Sequence, residues 1–95
     1  MLEIRNPYND ALLANIEMAG EEKAFEILEN AVNAWKDKKN FPKKERIAVL
    51  RKFKDLVEKN RDDIALRATR EGGKPIKDSK VEIDRAISGI DWTIS

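Results

Sequence analysis

The sequence predicts a mainly α-helical chain that begins with a β-hairpin. Three observations predict this fold class. Apolar and polar residues alternate at the start, apolar residues later recur every three or four positions, and glycine or proline stands at the breaks. With 95 residues, the chain can form at most one domain, and its core can only be modest.

The hairpin is predicted over about residues 2–18. Alternation over residues 2–5 indicates one strand, and a second apolar run over residues 12–18 indicates the other. The residues between them favour a turn, because Pro7 fixes its own φ and Asn9 and Asp10 bond nearby backbone. A two-stranded hairpin is marginal in water, so we expect it to lie on another element.

Four helices are predicted after the hairpin, over about residues 21–38, 42–59, 61–71 and 76–95. Gly20 is an acceptable N-cap for the first, and Pro42 fits the first turn of the second after the break at Asn40. Each helix carries an apolar stripe that predicts a buried face. The stripes are Ala24, Ile27, Leu28, Ala31, Val32 and Trp35; Ile47, Leu50, Phe53, Leu56 and Val57; Ile64, Leu66 and Ala68; and Ile83, Ala86, Ile87, Ile90 and Ile94.

The stretch R-E-G-G-K-P, residues 70–75, has two interpretations. A phosphate-binding loop would need the pattern G-x-x-x-x-G-K-[ST] after a strand, whereas here the spacing differs and Pro75 replaces Ser or Thr. A helix stop fits better, because glycine takes the left-handed conformation easily and proline often follows a helix end. We therefore predict that Gly72 and Gly73 end the third helix and that Lys74 is solvated.

The charge balance argues against nucleic-acid and membrane partners. Lys and Arg number 19 and Asp and Glu number 18, so no overall field attracts polyanions. One basic cluster is interrupted by Asp37 and Glu45 and is interpreted as a solvated helix connection. The cluster comprises Lys36, Lys38, Lys39, Lys43, Lys44 and Arg46. No apolar run is long enough to span a bilayer and no signal-peptide pattern is present, so a cytoplasmic location is expected.

No catalytic, cofactor-binding or metal-binding residue is predicted within these residues. The sequence contains no cysteine and no histidine, which excludes a thiol nucleophile, a Ser-His pair and zinc sites built on those ligands. The acidic pairs Glu21–Glu22 and Asp62–Asp63 stand near helix starts, where the helix dipole explains them. Trp35 and Trp92 lie on apolar stripes, which indicates packing in a core or an interface.

The last residues, 91–95, continue the apolar stripe of the fourth helix without a capping signal or a loop. A complete domain rarely stops in such a pattern. We therefore expect the chain to be a piece of a longer protein.

Several short motifs together identify a family. In order they are N-P at residues 6–7, A-W-K at 34–36, P-x-x-E-R-x-x-x-L-R at 42–51, E-G-G-K-P at 71–75 and V-E-I-D-R-A-I at 81–87. In this order and spacing, the chain resembles the N-terminal segment of the aldehyde dehydrogenase superfamily over about residues 3–95. The variant of the last two motifs is similar to prokaryotic members that take small aldehydes.

The resemblance implies an α/β, Rossmann-like parent that uses NAD or NADP and forms a homo-oligomer, a dimer or a tetramer. In such enzymes a cysteine thiolate attacks the aldehyde, hydride passes to the nicotinamide, and a glutamate activates water. The resemblance places all of these groups downstream. It implies that this segment packs on the NAD(P)-binding domain and is inactive alone. It also implies structural roles for Gly73, Lys74, Pro75 and Glu82. Glu71 holds an acidic position that in some members lies near a monovalent cation site.

A second interpretation remains open. Exposed apolar stripes seek partners, so the chain could also be a stand-alone helical module that acts by binding other proteins.

Overall fold

The computed structural model describes residues 1–38 and 41–95. It shows an N-terminal hairpin followed by helices, which confirms the predicted fold class. The elements are β1 (Leu2–Arg5), β2 (Leu12–Ile16), α1 (Glu21–Lys38), α2 (Lys43–Lys59), α3 (Arg61–Gly72) and α4 (Ile76–Ile94). Lys39 and Asn40, which the sequence assigns to the basic cluster and to the break before the second helix, lie outside the described residues.

The two strands pair in antiparallel fashion. Leu2 lies opposite Ile16 and Ile4 opposite Ala14, and the register shifts between Ile4 and Arg5. β2 ends at Ile16, so the predicted second strand extends two residues further than the observed one. The sheet has two strands, so each of them has an open edge.

Asparagine side chains build the turn between the strands. The Oδ1 atom of Asn6 accepts a hydrogen bond from the backbone N–H of Tyr8, and Oδ1 of Asn9 accepts one from Ala11. Asp10 has a φ of 58°, a left-handed conformation that Asp tolerates better than most residues. The turn residues therefore act through side chain to backbone bonds, as their chemistry predicts.

Both prolines at helix starts lie just outside their helices. Pro42 has φ −61° and ψ 147°, which is extended backbone, so α2 begins at Lys43 and not at the predicted Pro42. Pro75 is extended in the same way, and α4 begins at Ile76. In both cases the carbonyl oxygen of the proline accepts bonds from the first helical turn, for example from Arg46 and Ser79.

The interior of the fold lies where α3 and α2 pack against α4, and α3 also touches β1. The molecule is flat, measuring 48 × 38 × 16 Å. Among the described residues, only Ala65 and Ser79 are buried, and both lie in this interior. A layer this thin cannot cover the apolar side chains of every helix. Many of them therefore remain on the surface.

Candidate functional site

The loop between α3 and α4 is a helix stop. Gly73 has a φ of 77°, and its backbone N–H donates to the carbonyl oxygen of Thr69 over 2.9 Å. This is the left-handed C-cap that glycine forms at little cost, because it has no Cβ atom to clash. The segment R-E-G-G-K-P thus ends one helix and, through Pro75, starts the next.

The same loop anchors the hairpin. A Cβ atom added to Gly73 would lie 3.4 Å from both Cβ and Cγ of Pro7, so the proline ring packs directly on this glycine. Pro7 and Gly73 are 66 positions apart in sequence, yet the fold brings the N-P turn onto the G-K-P turn. Two of the motifs that identify the chain therefore form one contact.

Lys74 is not simply solvated. Its Nζ atom forms an ion pair with Oε1 of Glu82, one of the residues in the V-E-I-D-R-A-I motif. Both side chains remain about half exposed. The pair ties the loop to the second turn of α4, which gives both residues a direct structural contact.

A buried hydroxyl pair joins α3 to α4. Thr69 Oγ1 and Ser79 Oγ lie 2.8 Å apart, and either can donate. Ser79 is completely buried, and its hydroxyl is satisfied by this bond. Sequence reasoning missed this pair. The available signal was spacing, since Ser79 precedes Ile83 and Ile87 by four and eight positions and so shares their face of α4.

Two ion pairs connect α4 with its neighbours. Arg61 forms a two-pronged contact with Asp84, with Nε at 2.6 Å from Oδ1 and Nη2 at 2.9 Å from Oδ2. Lys54 Nζ lies 2.7 Å from Oδ1 of Asp91. Asp84 and Asp91 are two helical turns apart, so they present carboxylates along one side of α4.

These contacts shift the pKa values of Asp84, Lys54 and Arg61. The hydrogen bond from Arg61 lowers the pKa of Asp84, and its positive charge adds to the effect while partial desolvation opposes it. The hydrogen bond to Asp91 raises the pKa of Lys54 against the same opposing desolvation, and the bond to Asp84 raises that of Arg61. Lys54, Arg61 and Asp84 are thus stabilised in their charged forms, which suits structural pairs and not acid–base catalysis.

The other charged candidates lie on the surface. Asp62 accepts a bond from Arg61, and Asp63 pairs with Arg67 four positions later. Glu21 and Glu22 occupy the exposed first turn of α1. In the basic cluster, Arg46 donates to the carbonyl oxygen of Phe41. Across residues 1–38 and 41–95, no group of three potential metal-ligating side chains is assembled.

Large apolar side chains are exposed on several elements. Trp35 on α1 is 69% exposed and Trp92 on α4 is 80% exposed. Phe53 and Leu56 on α2 are half exposed, although they belong to the predicted apolar stripe of that helix. Within the described residues, the two tryptophans therefore do not pack in a core. No helix in the described part of the chain is long and apolar enough to cross a membrane.

The contacts above hold together a helical scaffold with exposed apolar faces. Its family follows from comparison with known proteins. A sequence model of the aldehyde dehydrogenase family matches residues 1–95. The chain belongs to the aldehyde dehydrogenase family.

Individual relatives agree with the family match. The chain is 34% identical over 90 residues to an NADP-dependent succinate-semialdehyde dehydrogenase of Schizosaccharomyces pombe, covering 95% of this chain and 18% of the relative. It is 33% identical over 94 residues to a glutarate-semialdehyde dehydrogenase of Pseudomonas putida, covering 96% of this chain and 19% of the relative. The chain therefore spans about a fifth of the length of these relatives.

The fold recurs in a solved structure. The glyceraldehyde-3-phosphate dehydrogenase GapN of Methanocaldococcus jannaschii, crystallised with NADP, superposes with a TM-score of 0.95 at 24% identity. The match covers 99% of this chain and 21% of that protein. The hairpin and four helices are thus one portion of the aldehyde dehydrogenase fold, arranged here as they are in a much longer chain.

Proposed function

We propose that this chain is the N-terminal segment of an NAD(P)-dependent dehydrogenase that oxidises an aldehyde to a carboxylic acid. Its role in that parent is to pack on the NAD(P)-binding domain. The observation that carries this proposal is the family match over the whole chain, joined to coverage of only about a fifth of each relative. The exposed apolar faces support it, because in a longer protein they would be covered.

The segment is proposed to be catalytically silent by itself. The chain contains no cysteine to attack an aldehyde. The carboxylates of Asp84 and Glu82 are held by the cationic side chains of Arg61 and Lys74, and they contribute structure. NAD or NADP would accept the hydride from the aldehyde. We propose that the rest of the parent protein binds this cofactor and that no residue of this segment does.

The test has two parts. The purified chain, mixed with NAD or NADP and succinate semialdehyde, is expected to produce no reduced nicotinamide by absorbance. The reading frame in the gene is expected to continue past Ser95 into alternating strands and helices with a downstream cysteine. Turnover by these 95 residues would overturn the proposed silence. A stop codon directly after Ser95 would overturn the proposed parent.

The second candidate is a stand-alone helical module that binds other proteins. The exposure of Trp35 and Trp92 also favours this candidate, since aromatic side chains are enriched at protein interfaces. The same reading-frame test separates the two candidates, because the module requires the chain to end near Ser95.

A further inference from the structure

The hairpin formed by β1, its turn and β2, residues 2–16, touches the rest of the chain over a small area. β1 packs on α3, and Pro7 in the turn packs on Gly73. Within the hairpin only Ile4 and Asn6 are half-buried, and its other side chains are exposed. An element with so little buried contact can open while the rest of a protein stays folded.

No hydrogen bond or ion pair joins the hairpin to a helix in the described part of the chain. The polar contacts of the hairpin link its own residues instead. Arg5 bonds the side chain of Glu3 and the carbonyl oxygen of Asp10, and the backbone N–H of Asn6 donates to the carbonyl oxygen of Ala11. The hairpin is therefore an internally bonded body that rests on the helices through van der Waals contact.

The helices α2, α3 and α4, here called the helical unit, are joined differently. The Thr69–Ser79 hydroxyl pair and the Arg61–Asp84 ion pair join α3 to α4. The ion pair of Lys54 with a carboxylate of α4 joins that helix to α2. None of these bonds involves the hairpin, so its departure would leave all of them intact.

We propose that the hairpin is a detachable strap, which leaves the helical unit as one body while α2, α3 and α4 stay folded. The contact of Pro7 with Gly73 fastens the turn of the strap, and Ile4 fastens its first strand. Opening uncovers the R-E-G-G-K-P turn and the surface of α3 under β1. Because a two-stranded hairpin is marginal in water, the released strap also loses its own hydrogen bonds.

Amide hydrogen exchange measures this opening in the unmodified chain. The amides of Asn6 and Asp10, which close the turn, report the strap, and amides in the middle of α3 and α4 report the helical unit. Relative to intrinsic rates, the strap amides are expected to exchange about tenfold faster or more. Urea below the unfolding transition should hardly change the strap rate, because opening exposes little surface, but it should accelerate exchange in the helical unit.

Two alanine variants separate the strap from the helical unit. Leu50 is half-buried on α2, which packs on α3 and α4. Leu50→Ala weakens the helices whether or not the strap is docked. It should therefore accelerate exchange in the helical unit about tenfold and leave the strap rate unchanged. Ile4→Ala should accelerate the strap amides about tenfold, because it removes the half-buried contact of β1.

The matched control for Ile4→Ala is Ile16→Ala. It removes the same atoms from the paired strand β2, where Ile16 is 49% exposed, and should change the strap rate by less than about threefold. Equal effects of the two variants would overturn the fastening role of Ile4.

The strap itself would be overturned if its amides exchanged at the same rate as those of the helical unit in the unmodified chain. Equal acceleration of both sets of amides by Leu50→Ala would overturn it as well. These results are independent of the proposed dehydrogenase parent, because the reading frame and the activity assay test that proposal separately.

Discussion

The helices α3 and α4 differ from α1 in where their partners lie. α3 and α4 hold each other through the Thr69–Ser79 hydroxyl pair and the Arg61–Asp84 ion pair, and they enclose the two buried residues. α1 has an apolar stripe of the same kind, yet all its described side chains up to Asp37 are exposed. An amphipathic pattern therefore shows that a helix has a face to bury, but not whether the partner belongs to the same chain.

The largest expected effect comes from filling the buried position in the α3–α4 interior. Ala65→Leu should lower the free energy of unfolding by about 1–3 kcal/mol, because added methyl groups have no room in a packed interface. The control Ala34→Leu, on the exposed surface of α1, should change it by less than about 0.5 kcal/mol. Urea unfolding followed by circular dichroism measures both. Equal effects would mean that the two helices are equally packed.

The next effect comes from the stop between α3 and α4. Gly73→Ala should destabilise the chain by about 1–2 kcal/mol, because alanine is strained at the left-handed φ of 77°. Gly72→Ala is the matched control. Gly72 has ordinary backbone and open space around it, so this change should be neutral or slightly stabilising. The urea midpoint of Gly73→Ala should fall well below that of the unmodified chain, whereas the midpoint of Gly72→Ala should equal or slightly exceed it. Equal midpoints for the two variants would contradict the role of the left-handed turn.

The smallest effect is pH-dependent and comes from the ion pair of Asp84. Its pKa is lowered from 3.8 in the folded chain, so the pair contributes stability above that value. This contribution is lost as the pH falls through the lowered pKa. Asp84→Asn should therefore reduce the urea midpoint at neutral pH, and its difference from the unmodified chain should vanish in acid.

The control for this pH series is Asp37→Asn at the end of α1. It should show no comparable difference at any pH, because Asp37 lies on the exposed helix outside the packed interior. A difference for Asp84→Asn that persists unchanged at pH 2 would mean that the charge of Asp84 does not contribute to stability.

Local chemistry predicted the elements well, because their signals lie within a few residues of one another. The alternation at residues 2–5 gave β1, and the glycines at 72 and 73 gave the end of α3, where Gly73 takes the predicted left-handed conformation. The start of α2 was displaced by one residue, since Pro42 is extended and caps the helix from outside. Such end effects depend on ψ, which proline itself does not fix.

Pairings between distant residues were not predictable from the sequence alone. Neither the contact of Pro7 with Gly73 nor the pairing of Lys74 with Glu82 follows from periodicity, although all four residues lie in motifs that the family resemblance brought forward. Ala65 and Ser79 were missed because small and polar residues do not stand out in an apolar stripe. The exposure of Trp35 and Trp92 likewise depends on what the fold leaves uncovered.

Amide hydrogen exchange tests the central claim most directly, which is that α3 and α4 are stabilised within this chain whereas α1 depends on a partner. The measurement is made on the unmodified chain, diluted until sedimentation shows a monomer. We predict that amides in the middle of α3 and α4 exchange slowly and together, while those of α1 exchange much faster. Protection of α1 equal to that of α3 and α4 in the monomer would contradict the claim.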